Sequence, residues 1–364
     1  MAKENDMCHI KGHIDADNSP LISAFMFAAG IFGNVAALVI LEIRRHRNSK
    51  SKGVQRSALF HILITTLVIT DLTGTCLITP LVQVSYAWNM TLVGMSNSTH
   101  AVCHYFGFSM TFFSLATMSL LLVTALERSF AIGYPYFYSR HVTKKCAYIT
   151  IPLLFCLCIL FCLLPSVGFG KYVQYCPGTW CFIDMNPEEK EDRIYANLYA
   201  TLMLVLVLTI AACNGFVVYQ LFRMYQRRKR HGSVMVTMTT NSQRRAVSMA
   251  EEVEHLIPLV FMTIIFIICT LPLVIQVYIN STGTESDTRS LIALRFISIN
   301  SIIDPWVFIL LSPSVLHFLW FSLCRTLLRT SRDSVFNETL VNKNSANLKH
   351  CGQTQNTHIS TAAV

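Results

Sequence analysis

Charged residues are scarce in this sequence. Only 13% of its 364 residues are Asp, Glu, Lys or Arg, whereas 53% are hydrophobic and the mean hydropathy is +0.47. Soluble globular chains carry about 25% charged residues, so the composition is typical of a membrane protein. The net charge of +9 does not call for a nucleic-acid partner, because the basic residues are concentrated in a few short segments next to apolar ones.

Long apolar stretches are abundant. A helix needs about 20 apolar residues to cross the bilayer core, and spanning backbone must satisfy its own hydrogen bonds. We therefore predict an all-α membrane protein, a seven-helix bundle at residues 20–311 that follows an outer tail at 1–19. The predicted helices are 20–43, 57–86, 103–132, 146–169, 195–222, 254–279 and 289–311, the last after a helix-start pattern at Ser286-Asp287-Thr288.

Lys and Arg are missing from the second connecting segment, residues 87–102. They crowd instead into residues 44–56 and into the run Arg227-Arg228-Lys229-Arg230. Basic short loops stay in the cytoplasm, so we expect an extracellular N-terminus and a multi-pass protein of the plasma membrane. Residues 1–19 lack the apolar core of a signal peptide, so we expect the first helix to insert by itself.

Candidate modification sites agree with this orientation. The acceptor pattern Asn-x-Ser/Thr occurs at Asn89, Asn97 and Asn280, all at positions that we predict to be outside. The stretch 312–330, SPSVLHFLWFSLCRTLLRT, is amphipathic and predicts a helix on the inner membrane surface. Cys324 on this stretch is a candidate for palmitoylation. The polar tail 331–364 is expected to be disordered.

Most of the 13 cysteines fall within apolar stretches, where a thiol behaves as a small apolar group. The cysteines expected on the oxidising side are Cys8, Cys103, Cys176 and Cys181. Four cysteines allow three pairings, and their spacing does not choose among them.

Charge inside the apolar stretches is rare, and one basic residue is conspicuous. Arg295 lies in the upper half of the seventh stretch, with no acidic residue nearby in sequence. A charge in a spanning helix costs roughly 2.5–3.5 kcal/mol on insertion and usually serves a function. We expect Arg295 to be buried and to face a cavity that admits an anion. The alternative is that it snorkels to the outer headgroups.

The sequence lacks sets of His, Cys or Asp with the spacing of a metal site or an activated nucleophile. We therefore expect neither an enzyme nor a cofactor. It also lacks an internal repeat and the paired broken helices of many transporters, and the number of helices is odd. A carboxylate transporter that uses Arg295 as its substrate clamp is the alternative of a different class.

Short motifs occur in order along the predicted helices. They are Gly33-Asn34 in the first, Asp71 in the second, Glu127-Arg128-Ser129 at the end of the third and Asp304-Pro305-Trp306-Val307-Phe308 in the seventh. Together they resemble the rhodopsin-like G-protein-coupled receptors. The usual Trp before Leu-Pro in the sixth helix is absent, since Cys269-Thr270 stands there, and the fifth helix has no proline.

These departures resemble the prostanoid receptors. The segments PGTWCFI (177–183), MTFFSLATM (110–118) and LRFISINSIIDPWVF (294–308) carry that resemblance. SMAEEVEHLI (248–257) and TGTCLITP (73–80) are similar to prostaglandin E receptors that raise cyclic AMP through the stimulatory G protein. The resemblance implies that activity, with receptor kinases and arrestin as further partners. Receptors for prostaglandin D or prostacyclin are the alternative, because their pockets share the same arginine.

The resemblance also implies the ligand contacts. The ligand carboxylate would bind Arg295, with hydrogen bonds from Tyr86 and Thr179, and Ser23 and Ser298 would reach its ring or chain oxygens. The plausible wall residues are Met26, Met110, Phe113, Trp180 and Leu294. Structural alternatives are an interfacial anchor for Tyr86, back-bonding to the helix for the serines and simple packing for the methionines.

A disulfide between Cys103 and Cys181 is implied in the same way. It would hold the PGTW loop over the cavity as a lid. Cys176 then remains for Cys8, and we expect these two to pair; the alternative is that both are free thiols.

The resemblance assigns signalling roles to the inner half. Arg128 would contact the G protein, Glu252 would pair with Arg128 in the inactive state, and Tyr136 would enter a groove of the G protein. Glu127 belongs to the same switch. Asp71 and Asp304 are acids on adjacent helices, so they would share a proton or a cation such as sodium near Asp71. A static polar network with Asn34 and Asn300 is the alternative.

Overall fold

The computed structural model of the chain describes residues 11–14, 20–50, 57–96, 99–187, 189–231, 240–281 and 287–310. Within these ranges, seven helices are long and apolar enough to cross a membrane. They are α1 (Leu21–Lys50), α2 (Ser57–Trp88), α3 (Ala101–Gly133), α4 (Lys144–Cys162), α5 (Lys190–His231), α6 (Thr240–Ser281) and α7 (Asp287–Leu310). The predicted all-α bundle is confirmed. The stretch 312–330 and the tail 331–364 lie outside the described residues.

Most of the helices extend past their apolar stretches. The helix α5 runs to His231 rather than to residue 222, and α6 begins at Thr240 rather than at 254. Hydropathy marks only the part of a helix that lies in lipid, whereas backbone hydrogen bonding continues into the charged residues beyond it. The start of α7 at Asp287 falls within the predicted start pattern.

The helix α4 is shorter than predicted, because it ends at Cys162 rather than at residue 169. A 3₁₀ turn, Leu164–Val167, follows and contains Pro165. The α conformation is disfavoured for a residue that precedes proline, here Leu164. The apolar sequence therefore continues to residue 169, although the α-helix has already ended. The chain then turns at Gly168, whose φ is +90°.

A β-hairpin covers the N-terminal end of α3, on the side of the bundle that the sequence predicts to be extracellular and that is called the outer side below. Its strands, β1 (Tyr172–Tyr175) and β2 (Trp180–Ile183), are antiparallel, with Tyr175 opposite Trp180. The Tyr172 hydroxyl donates to the Cys162 carbonyl oxygen at 3.0 Å, and burial raises the pKa of this phenol. The hairpin lies in the segment that we predicted to be a lid, although the sequence pattern did not predict strands.

The short N-terminal segment 11–14 lies beside the hairpin. His13 pairs with Met90 in an isolated β-bridge, and the Thr91 amide donates to the Gly12 carbonyl at 3.1 Å. The Gln174 side chain of β1 joins the same group, since its Nε2 donates to the Lys11 carbonyl at 3.2 Å. Three separate parts of the chain thus form one layer over the outer side of the bundle.

Aromatic side chains connect the hairpin with α4 and α5. Phe161 stacks on Tyr195 with ring centroids 5.1 Å apart, and Phe182 meets Tyr199 edge-on at 5.5 Å. Tyr199 is fully buried, and its hydroxyl lies 2.8 Å from the Ser114 hydroxyl of α3. Edge-on aromatic pairs contribute about 0.5–1.5 kcal/mol beyond burial. These contacts join α3, α4, α5 and the hairpin.

The helices α1 and α7 meet at Gly33. A Cβ at this position would lie 2.8 Å from Nε1 of Trp306, so only glycine allows the indole to approach. That Nε1 donates to the Ala29 carbonyl at 3.3 Å. Asn34 donates to the Ser301 carbonyl at 3.1 Å. The two sequence motifs in these helices thus contact each other.

Candidate functional site: a cavity beneath the hairpin

A cavity lies within the bundle, and the empty space between its lining residues, open solvent included, is about 870 Å³. Its wall is mostly apolar and also carries hydroxyl groups, an amide and a carboxylate. Ligand sites are typically lined by apolar side chains together with a small number of polar groups. The lining residues used below are Ser23, Met26, Phe27, Asp71, Val82, Met110, Phe113, Ser114, Thr117, Trp180, Ser298 and Asn300.

Six of the ten predicted ligand-contact residues line this cavity. They come from four separate segments of the chain: Ser23 and Met26 from α1, Met110 and Phe113 from α3, Trp180 from β2, and Ser298 from α7. The Ser298 hydroxyl donates to the Leu294 carbonyl at 3.0 Å, as the structural alternative predicted, so its lone pairs are left to accept a hydrogen bond from a ligand.

The other four predicted contacts are outside the cavity lining. Arg295 is exposed, and it makes no hydrogen bond or ion pair with the described residues. The expectation that Arg295 is buried is therefore wrong. An unpaired guanidinium would be costly to bury, and Arg295 is only about two turns from the start of α7. Tyr86 is half-buried, and Leu294 is fully buried.

Thr179, the fourth of these, lies in the turn of the hairpin. Its side chain is fully buried, and its Oγ1 has no hydrogen-bond partner within the described part of the chain. A buried hydroxyl without a partner costs about 1–3 kcal/mol, so an incoming polar group would relieve this cost.

The hairpin is held over the cavity by a disulfide and by aromatic packing. Cys103 and Cys181 form a disulfide with their Cα atoms 5.4 Å apart, as predicted. Trp180 packs edge-on against Phe106 of α3, with ring centroids 6.0 Å apart. Cys176 also takes part in a disulfide, and its partner lies outside the described residues. The pairing with Cys8 stays a prediction.

The turn of the hairpin offers a matched test of steric crowding. Gly178 and Gly168 both have positive φ, +101° and +90°. A Cβ at Gly178 would meet Thr91 Cγ2 at 2.3 Å, whereas one at Gly168 would meet nothing within 4 Å. We expect Gly168→Ala to cost about 1 kcal/mol from backbone strain alone, and Gly178→Ala to cost more. Thermal unfolding of the purified protein would measure both, and equal losses would contradict the crowding at Gly178.

Two acids lie at the inner end of the cavity region. Asp71 lines the cavity and accepts a hydrogen bond from Thr117 at 2.9 Å, but its Oδ2 has no partner among the described residues. Asp304 is buried, and neither of its carboxylate oxygens has a partner there. The amide of Asn34 bonds to backbone carbonyls instead. Among the described residues, Asp71 is therefore satisfied at one oxygen only and Asp304 at neither, which a static polar network does not explain.

A buried ion pair lies near the C-terminal end of α3. The Arg128 guanidinium donates to Glu127 from Nε and Nη2, at 2.5 and 2.7 Å. The Tyr138 hydroxyl donates to the same carboxylate at 2.5 Å, and Arg128 lies over the Phe60 ring, 4.6 Å from its centroid. The Glu252 side chain is outside the described residues, so its predicted pairing with Arg128 stays a prediction.

Tyr138 belongs to this buried cluster, and the sequence did not single it out. It lies on the short helix Pro135–His141 and is buried, whereas the predicted Tyr136 on the same helix is 78% exposed. The segment YPYFYSR contains three tyrosines, and its composition alone does not tell which of them faces α3.

Comparison with known proteins decides the family. A sequence profile of the family "7 transmembrane receptor (rhodopsin family)" matches residues 33–308. The Prostaglandin E2 receptor EP2 subtype of Mus musculus is 45% identical over 354 residues, which cover 95% of this chain and 96% of that protein. The chain belongs to the prostanoid receptors of the rhodopsin family.

Other relatives agree with this assignment. The Prostaglandin E2 receptor EP2 subtype of Homo sapiens is 46% identical, over 90% of this prostanoid receptor and 92% of its own length. The Prostacyclin receptor of Mus musculus is 40% identical, over 84% of this chain and 70% of its own length. A structure of squid rhodopsin, 17% identical, has the same fold with a TM-score of 0.67 and covers 81% of this chain and 77% of its own.

The predicted glycosylation sites of this receptor differ in accessibility. Asn89 is exposed, in a turn with φ +53°, and Asn97 lies outside the described residues, as does Cys324. Asn280 is buried in α6, where its side chain accepts from Gln276 at 2.6 Å and donates to Ser290 at 3.3 Å. A glycan needs an accessible amide, so the prediction for Asn280 is corrected.

Proposed function

We propose that this chain is a receptor for prostaglandin E that couples to the stimulatory G protein and activates adenylyl cyclase. The observation that carries the proposal is the near full-length similarity to prostaglandin E2 receptors. The cavity supports it, because its wall is mostly apolar and carries several hydroxyl groups. A fatty acid with two long chains and a few ring oxygens needs a site of this kind.

The carboxylate of the ligand would bind at the outer end. Arg295 has no ionic partner among the described residues and can present its planar fork to a carboxylate. Thr179 supplies a buried hydroxyl whose oxygen is unpartnered in the described structure, and Tyr86 supplies a phenol. The chains and ring would lie against Met26, Met110 and Phe113.

Signalling would follow from a shift between two states of the bundle. The unsatisfied oxygens of Asp71 and Asp304 fit a shared proton or a small cation such as sodium, whose occupancy would differ between the states. At the inner end, the G protein would bind Arg128 once the pair with Glu127 opens. Tyr136 is exposed and would enter the groove of the G protein. Receptor kinases and arrestin would act on the same active state.

A panel of prostanoids tests the proposal. In cells that express the chain, prostaglandin E2 is expected to raise cyclic AMP at lower concentration than prostaglandin D2 or a stable prostacyclin analogue. Higher potency of another prostanoid would refute the ligand, and a response in calcium without cyclic AMP would refute the coupling.

A receptor for prostacyclin or prostaglandin D is the second candidate. Receptors with those names are 37–40% identical to this chain, against 44–46% for the prostaglandin E2 receptors, so the similarity favours prostaglandin E. Saturable uptake of labelled prostaglandin into vesicles would instead support a transporter, which the family assignment argues against.

A further inference from the structure

Ser23 differs from most hydroxyl residues of the helices in its hydrogen bonding. The Thr66, Thr70 and Thr124 hydroxyls each donate to the carbonyl four residues earlier in their own helix. Ser23 is the third residue of α1, so the carbonyl four residues before it precedes the helix. Among the described residues, its hydroxyl donates to no acceptor, so its proton can be offered to a ligand.

The oxygen of that hydroxyl is already engaged. Nε2 of Gln83, on the facing helix α2, donates to Ser23 Oγ at 3.0 Å. Both side chains are half-buried. Ser23 lines the cavity, whereas Gln83 lies next to the lining residue Val82 and does not line it itself. Gln83 thus contacts Ser23 without lining the cavity itself.

This arrangement determines which partner Ser23 prefers. A serine hydroxyl has one proton to donate and two lone pairs that accept. Because the amide of Gln83 occupies one of the two lone pairs, Ser23 keeps its proton and a single lone pair, and donating the proton to a ligand oxygen is the arrangement that engages the hydroxyl fully. We infer that Gln83 is a positioning residue that holds Ser23 as a hydrogen-bond donor, and that the pair selects ligands with a ketone oxygen over ligands with a hydroxyl at that point.

The neighbouring wall strengthens this selection. A ketone oxygen has lone pairs and no proton, so it accepts from Ser23 and leaves nothing unsatisfied. A ligand hydroxyl at the same point would have to direct its own proton elsewhere. The lining residues Met26, Phe27 and Val82 next to Ser23 and Gln83 are apolar, and Thr79, one turn along α2, offers the nearest other hydroxyl in the lining on that helix. A site built for one hydrogen-bonding group rejects analogues that leave a buried polar group unpaired.

The inference rests on the proposed function and deepens it, because prostaglandin E2 carries a ring ketone where prostaglandin F2α carries a hydroxyl. The quantity to measure is the ratio of the two dissociation constants, prostaglandin F2α over prostaglandin E2. It is obtained by competition against radiolabelled prostaglandin E2 on cells with equal surface expression.

Two substitutions of Gln83 are expected to lower this ratio to different extents. In Gln83→Leu the Ser23 hydroxyl can turn and accept, so the ratio should fall about tenfold. In Gln83→Glu the carboxylate accepts the serine proton and turns a lone pair towards the cavity, so the ratio should fall further. Gln83→Met, an apolar side chain of equal length, replaces Gln83→Leu if that variant fails to reach the surface.

Controls separate positioning from packing. Thr73 of α2 is exposed and donates only to its own helix, so Thr73→Val should leave the ratio unchanged. In a Ser23→Ala background, Gln83→Leu should have no further effect on the ratio, because the hydroxyl through which Gln83 acts is gone.

Three outcomes would overturn the inference. If Gln83→Leu changes the dissociation constants of both ligands by the same factor, Gln83 only packs. If Gln83→Leu still changes the ratio in the Ser23→Ala background, Gln83 acts by a route other than the Ser23 hydroxyl. If the unaltered receptor shows no saturable binding of prostaglandin E2, the proposed function itself fails and the inference fails with it. Saturable binding with an unchanged ratio would refute only the role of Gln83.

Discussion

Arg295→Ala is expected to weaken the binding of prostaglandin E2 by about 10- to 150-fold. The substitution removes a charge-assisted pair with the ligand carboxylate, which is worth about 1.5–3 kcal/mol. Arg295 is exposed and has no partner among the described residues, so its loss should disturb the unliganded receptor little. Competition binding at matched surface expression would measure the change in dissociation constant.

Arg289 provides a matched control on the same helix. It is also exposed and, within the described residues, also without a partner, but it lies nearer the start of α7. Arg289→Ala should leave affinity within about threefold, as expected for a surface charge.

The methyl ester of prostaglandin E2 makes the test more specific. The ester should bind the unaltered receptor weakly, and Arg295→Ala should change its affinity little, because the charge that Arg295 recognises is already absent. Equal losses for the acid and the ester would show that Arg295 acts on structure rather than on the carboxylate. Unchanged affinity for the acid would refute the clamp.

The bundle could be predicted from the sequence because membrane insertion imposes a strong and local rule. Each spanning helix must bring its own apolar length and satisfy its own backbone, so seven stretches predict seven helices. The end of α4 at Cys162 was missed because hydropathy does not distinguish an apolar helix from an apolar 3₁₀ turn that contains a proline. The hairpin was not predicted because its strands are buried at almost every position and therefore lack the alternation of apolar and polar residues that marks a strand in the sequence.

The lining residues of the site could be predicted where helical spacing alone determines which face a side chain is on. Contacts between residues far apart in the sequence could not. Met110, Phe113 and Ser298 line the cavity as expected, since their helical spacing places them on inner faces. The exposure of Arg295 depends on how the neighbouring helices are arranged around it, and the residues next to Arg295 in the sequence do not determine that arrangement. The bond between Gln83 and Ser23 joins residues 60 positions apart, and no local pattern indicates it.

Glu127→Gln is expected to raise ligand-free signalling from a low level to a large fraction of the maximal response. Glu127 and Arg128 are each about 3% exposed as side chains and pair directly. Breaking a buried pair by removing one charge costs about 3–5 kcal/mol, and that cost falls on the state in which the pair is closed. A shift of this size moves a two-state equilibrium by more than a hundredfold.

A weaker change at the same carboxylate should give a graded effect. Tyr138→Phe removes only the hydroxyl that donates to Glu127, so basal cyclic AMP per surface receptor should rise less than in Glu127→Gln. Tyr136→Phe changes an exposed tyrosine on the same short helix and should leave basal activity unchanged.

Glu42→Gln is the matched control for charge. Glu42 is an exposed acid on α1 that pairs with Arg45 at 3.5 Å and lies 3.2 Å from His46, and exposed pairs contribute only about 0–1 kcal/mol. Basal activity should not change in this variant. Because a population shift also raises agonist affinity, prostaglandin E2 should bind Glu127→Gln more tightly. Unchanged basal activity together with unchanged affinity, in a variant that still responds fully to agonist, would mean that this ion pair does not hold the receptor inactive.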